Sequence, residues 1–200
     1  MNFPSVEVLI NTLHKLKYRV YNTPAKEWNL NIVGIRAKGN KPDKFDDLLT
    51  VFHCFMDKWY VSHYPITTDP SDYYLKHPIN KHGTAILKEG QYKEVYKIDK
   101  HRGKYYALCQ RLGNVTVYRD SNKDGKLKLD PESIETGAFT INIHKGPRNG
   151  TWETKNTIYS AGCQVFADDR HFAEFMIKVN NGSASFGNKF TYTLIREEDL

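Results

Sequence analysis

Apolar positions along the chain recur with two periods. Val6, Leu9, Ile10, Leu13 and Leu16 fall on one face at helical spacing after Pro4 and Ser5, which predicts an amphipathic helix over residues 5–19. Its apolar stripe is expected to dock on the protein core rather than on a membrane. Beyond it, β-branched and aromatic residues gather in short runs. NLNIVGIRA (29–37), LLTVFHCFM (48–56) and KWYVSHYPI (58–66) read as strands, the last two as a hairpin. TTDPSDYYLKHPINKHG (67–83) is rich in turn formers and predicts a connection with little regular structure. GTAILKEGQY, EVYKID, KYYALCQ and NVTVYRD follow as short strands, then the polar DSNKDGKLKLD, the strand AFTINIH, the loop KGPRNGTWETKNT and the segment YSAGCQVF. Asp168 and Asp169 open a second helix through Val179, with Phe172, Phe175, Met176 and Val179 as its inward face, and FTYTLIRE closes the chain as a strand. The expectation is a mainly β (α+β) fold forming one domain over 1–200. Residues 1–83 supply a helix and strands packed on a core formed by 84–200.

Composition narrows the class. With 40% hydrophobic and 13% aromatic residues, 13 Tyr and 10 Phe among them, the 200-residue chain suits packed, half-buried strands better than disorder or a helical bundle. The formal charge of +6 favours an anionic partner, but the basic residues are scattered and no nucleic-acid motif accompanies them, so nucleic acid is not expected. No apolar run reaches the roughly 20 residues of a membrane helix. The start, MNFPSVEVLINTLHKLKYRV, lacks the basic n-region of a signal peptide, which predicts synthesis in a cytoplasm. Nothing in the pattern specifies an oligomeric state.

Three cysteines cannot all pair, and none forms a CxxC, so free thiols are expected. Cys54 in VFHCFM and Cys109 in YALCQR read as small buried hydrophobes. Cys163 differs because it follows Ser160, Ala161 and Gly162, and His144 ends a strand shortly before it. A nucleophilic thiol needs a base, and the acyl oxyanion it creates needs backbone N–H donors. Small residues before Cys163 would let the main chain turn and a substrate carbonyl approach those amides, while His144 would reach Cys163 from a neighbouring strand.

INIHKG followed by YSAGCQV resembles the L,D-transpeptidase catalytic domain, whose signature is a histidine, a loop and then S-x-G-C. The resemblance covers about the C-terminal half of the chain and implies an L,D-transpeptidase-like β-sandwich or barrel. It also implies that the Cys163 thiolate attacks an amide carbonyl of a peptidoglycan stem peptide, that His144 is the base, and that amides near Gly162 and Cys163 hold the oxyanion. Ser160 matches the motif's serine and would orient the site. The family's arginine two places after the cysteine is replaced by Val165, which leaves donor specificity open, as it does cross-linking against hydrolysis. The whole chain is also similar to a group of proteins of Bacteroidetes phages and bacteria. That likeness implies a lysis enzyme released to the wall after cytoplasmic synthesis.

Substrate contacts are expected from Trp152 in the loop between base and nucleophile, from Gln164 and Lys145 beside the pair, and from Asp69 in a Pro-bounded loop. Asp46 and Asp47 are adjacent and would face opposite ways, so they make no carboxylate pair by themselves. No cofactor is required by this chemistry. Asp120, Asn122 and Asp124, with Gly125, begin an EF-hand-like loop and are candidates for a structural calcium, although Pro131 stands where the twelfth-position Glu belongs. His53, His63, His77, His82 and His101 form no zinc-ligand spacing. The rival reading is a non-catalytic wall-binding or virion structural protein in which Cys163 is unreactive. A third, an effector delivered to a neighbouring cell, would use the same chemistry as a lysis enzyme.

Overall fold

A computed structural model describes residues 3–39, 41–151 and 158–200. The first helix, α1 (Val6–Lys15), starts where Ser5 caps it, its Oγ accepting the Val8 N–H at 3.3 Å. It stops four residues before the periodicity predicts. Lys17 enters the left-handed region at φ 60°, and Lys17 and Tyr18 donate back to the His14 and Leu13 carbonyls, which satisfies the end of the helix.

Eight strands close a barrel: β1 (Asn31–Arg36), β11 (Phe190–Arg196), β5 (Gly90–His101), β6 (Tyr105–Gln110), β9 (Ile143–Lys145), β10 (Gln164–Phe166), β3 (Lys58–Thr67) and β2 (Asp47–Phe55) in spatial order. The β1–β11 and β9–β10 pairs are parallel and the other neighbours antiparallel. β2 and β3 form the expected hairpin. Because β1–β3 are three of the eight staves, residues 84–200 close no barrel without them. A smaller sheet, β4 (Thr84–Leu87), β7 (Val115–Asp120) and β8 (Glu135–Gly137), stands beside the barrel. The described residues contain two further α-helices, α2 (Asp72–Lys76) and α3 (Asp169–Phe186), so the 67–83 connection carries a short helix that its turn-rich composition did not announce.

Strand parity explains the core. On β1, Ile32 joins the interior cluster with Leu49, Val51, Tyr192, Leu194 and the α3 residues Phe172, Phe175 and Val179, whereas Val33 and Ile35 face out under Leu9 and Leu13 of α1. Both faces of this strand are therefore buried, which is why it reads as a continuous apolar run. α3 continues seven residues past Val179 through the poor helix formers Asn180, Asn181 and Gly182, because Gly182 is seated against Leu30 and Phe190, and packing overrides propensity. The run EGQY to YKID is one strand rather than two. Glu94, at φ 54°, forms a bulge where the register with β11 shifts, and its N–H is taken by Thr191 Oγ1. Conversely, the strand predicted over AFTINIH is cut to Ile143–Lys145, since Thr140 adopts φ 57° and leaves extended geometry.

Candidate active site

β9 and β10 lie side by side in parallel, with His144 level with Val165. Cys163 is two residues before Val165, so alternation places Cys163 and His144 on the same side of the pair, as required of a base and a nucleophile carried by one sheet. The turn before Cys163 is built by Ser160. Its buried Oγ accepts the Gly162 N–H at 3.1 Å and donates to the Cys163 carbonyl at 2.8 Å, and its own carbonyl accepts the Ser71 N–H. Gly162 is required here, because it sits at φ 119° and a Cβ would lie 2.2 Å from the Ala85 carbonyl oxygen.

Cys163 is half-buried, and its sulfur has two hydrogen-bond partners among the described residues: the Asn142 N–H, which donates at 3.4 Å, and the Thr140 carbonyl at 3.7 Å. Burial pushes the thiol pKa up, against the Asn142 N–H and the charge of Arg102, which pull it down. The resting group is therefore a thiol. Both amides expected to hold an oxyanion are accounted for. Gly162 N–H is already given to Ser160, whereas Cys163 N–H donates to no described acceptor and remains available.

His144 is buried, and its Nδ1–H donates to the Lys145 carbonyl at 2.8 Å, which leaves Nε2 with the lone pair. Burial first, then the His101 ring and the Arg102 charge, lower its pKa to about 3, so the ring is neutral and its protonated form is disfavoured in this resting arrangement. No hydrogen bond joins it to the thiol. Instead the His144 ring packs against that of His101, with centroids 4.2 Å apart and the planes tilted by 31°. His101 is the site residue that sequence reasoning missed. It ends β5, far from the motif, and the sequence offered it only as one of several unconnected histidines. Asn142 ties it to the thiol. The Asn142 Oδ1 accepts the Gln110 N–H at 3.0 Å, so its Nδ2 faces and donates to His101 Nδ1 at 3.0 Å, placing the His101 proton on Nε2. Burial, Arg102 and Arg111 lower the His101 pKa to about 4.

Cys163 opens on a cavity of about 290 Å³ lined by His101, Arg102, Arg111, Phe139, Asn142 and neighbours. A second cavity of about 250 Å³ shares Ala85, Phe139 and Ala161 with it and extends past Tyr74, Ile79 and Arg119. Together they form a cleft across the Ser160–Cys163 turn.

The remaining expected residues are distributed differently. Gln164 lies inside the barrel, fully buried, where its Oε1 accepts the Tyr192 hydroxyl at 2.8 Å and its Nε2 reaches the Gly162 carbonyl at 3.4 Å. It braces the Ser160–Cys163 turn from within and is not on the cleft wall. The reason is parity: in β10 it points opposite to Val165. Asp69 is also away from the cleft, 1% exposed and ion-paired to the buried Arg36 at 3.0 Å. Arg36 also binds Glu89 at 2.7 Å and the Thr68 and Leu87 carbonyls, while Asp47 accepts from Thr68 and Ala37 beside it. Thus Asp47 is grouped with Asp69, distant in sequence, while Asp46 is half-buried and its charge also bears on Asp69. Lys145 is exposed with its Nζ 4.7 Å over the Tyr105 ring. Trp152 lies outside the described residues.

The calcium-candidate loop is folded on its own backbone. Asp120 accepts the N–H groups of Asn122 and Lys128 on its two oxygens, Asn122 accepts from Asp124, and Asp124 accepts from Lys126. Among the described residues no three His, Cys, Asp or Glu side chains gather as a metal-ligand group. Cys54 and Cys109 are buried, and burial pushes the Cys109 thiol up to about 11. No helix among the described residues is long and apolar enough to cross a membrane. The sequence matches no protein-family model, and no curated protein matches it.

Proposed function

We propose that the protein is a cysteine-dependent acyltransferase or peptidase of L,D-transpeptidase-like type, acting on peptidoglycan stem peptides through a thioester. The observation that carries this reading is the Cys163 thiol at the wall of a cleft, held by the Asn142 N–H, with a neutral imidazole of fixed tautomer on the adjoining parallel strand. In the step envisaged, the sulfur bonds to an amide carbonyl carbon as the thiol proton passes to an imidazole. The tetrahedral oxyanion takes the Cys163 N–H. The C–N bond then breaks and the amine leaves with that proton, forming the thioester. Water or a second amine attacks the thioester, giving a carboxylate or a new amide, and the sulfur recovers its proton. We favour hydrolysis after release or delivery to the wall, as for a phage lysis enzyme. His144 is the base that the motif designates. His101, which lines the cavity and packs on His144, already takes the Asn142 Nδ2–H on its Nδ1 lone pair and so is not free to accept the thiol proton.

One observation favours a different reading. A thiol whose pKa is pushed up and which is hydrogen-bonded to no described imidazole suits an attachment or virion structural protein that keeps the fold without turnover. Intact-protein mass spectrometry with tetrapeptide muropeptides, run beside Cys163→Ala, separates the two. A Cys163-dependent adduct or converted muropeptide supports acyl transfer, and the product masses distinguish hydrolysis from cross-linking. Equal wall binding by both proteins with no adduct and no product refutes it.

A further inference from the structure

Among the described residues, three guanidinium groups line the cleft at Cys163 and no carboxylate does. Two of the three are neutralised. Arg119 pairs with Glu135 at 2.6 Å and stacks over Phe139, and Arg111 pairs with Asp99 at 2.9 Å and donates to the Gln110 carbonyl. Arg102 makes no hydrogen bond or ion pair with any described residue. It is exposed at the tip of the β5–β6 hairpin, in a turn closed by Lys104 N–H onto the His101 carbonyl at 3.0 Å, with Arg102 at φ 49° and Gly103 at φ 71°. Asn or Gly is the inexpensive choice where φ is positive, so an arginine there carries a conformational cost with no internal contact to offset it. Its charge nonetheless bears on the thiol and on both imidazoles, lowering the pKa of each.

We propose that Arg102 recognises a carboxylate on the acyl donor, so that the cleft selects peptides bearing a free carboxylate close to the carbonyl that Cys163 attacks. A planar guanidinium presents paired N–H donors that match a carboxylate, and one that pairs with no described residue, beside a cavity whose described lining holds no acidic side chain, is ready for that partner. The inference deepens the acyl-transfer reading and rests on it for the identity of the ligand as substrate.

The test uses two alkylating probes of nearly equal size, anionic iodoacetate and neutral iodoacetamide, with the Cys163 peptide quantified by mass spectrometry and glutathione as the free-thiol reference. The wild-type iodoacetate-to-iodoacetamide rate ratio is expected about fivefold or more above that of glutathione at low ionic strength, and to fall as salt is added. Arg102→Asn, chosen because asparagine accepts positive φ, should bring the ratio to within about twofold of glutathione, as expected when an attraction of that size is removed. Arg111→Asn should leave the preference in place. A wild-type ratio equal to that of glutathione overturns the proposal, as does a preference that survives in Arg102→Asn or disappears in Arg111→Asn instead. The readout is independent of turnover. A protein with the preference but no muropeptide adduct would refute acyl transfer and keep the anion site, whereas turnover without the preference would do the reverse.

Discussion

Replacing Gly162 by alanine perturbs the turn before Cys163 by a single methyl group, and the structure says what that methyl meets. The position holds φ 119°, which an L side chain rarely adopts, and the new Cβ would stand 2.2 Å from the Ala85 carbonyl oxygen of β4. The dihedral alone costs about 1 kcal/mol, and forcing a backbone oxygen aside adds about 1–3 kcal/mol, as in an overpacked core. The sum, about 3 kcal/mol, corresponds to a fall in Tm of roughly 6–12 °C for a chain of this length. Gly187 supplies the internal control. It sits at φ 89° after α3, and a Cβ there meets no atom within 4 Å, so Gly187→Ala carries the dihedral cost alone, roughly 2–4 °C. Differential scanning calorimetry of the two variants therefore isolates the contact with β4. Because Cys163 follows Gly162 directly, Gly162→Ala should also shift the rate of Cys163 alkylation, whereas Gly187→Ala should not. A Gly162→Ala protein no less stable than Gly187→Ala, with wild-type alkylation, would refute the close packing of this turn on β4.

The thiol pKa, raised by burial above its ordinary 9.0, predicts that iodoacetamide labelling of Cys163 climbs about tenfold per pH unit from 7 to 9 with no plateau. A plateau beginning below pH 7 would instead indicate a thiolate–imidazolium pair and a different resting state. Arg36→Met should destabilise the fold by about 3–5 kcal/mol at pH 7, because it strands Asp69 and Glu89 without their buried cation. Burial would raise the Glu89 pKa, but Arg36 and Arg196 bring it to about 2, below its ordinary 4.5. Its share of the stability is thus present above about pH 4.5 and lost as pH falls through about 2. Urea titrations should accordingly show the penalty of Arg36→Met shrinking between pH 7 and pH 3, and an equal penalty at both would contradict this account.

What the sequence determined by itself is local. The stripe from Val6 to Leu16 and its Ser5 cap specify α1, and short apolar and aromatic runs specify most barrel staves, because helical and strand periods are set by the nearest residues along the chain. The Ser160–Gly162 turn was legible for the same reason, since a small-residue turn signals tight backbone geometry before any partner is known. The tertiary structure alone decided what distant segments share. His101 reaches His144 because β5 and β9 both flank β6, and no spacing in the sequence encodes that meeting. Arg36, Asp69 and Glu89 converge from three separate elements, so Asp69 reads as an exposed loop carboxylate until the barrel end brings it a buried guanidinium. Gln164 beside Cys163 looked like a substrate contact, but the pairing of β10 with β9 turns it inward to Tyr192. Local periodicity carries the orientation of a side chain relative to its own element. Which partner waits there is fixed by non-local strand pairing, and in this protein that pairing brings the Cys163 thiol, His101 and Arg102 to one cleft, with His144 packed on His101.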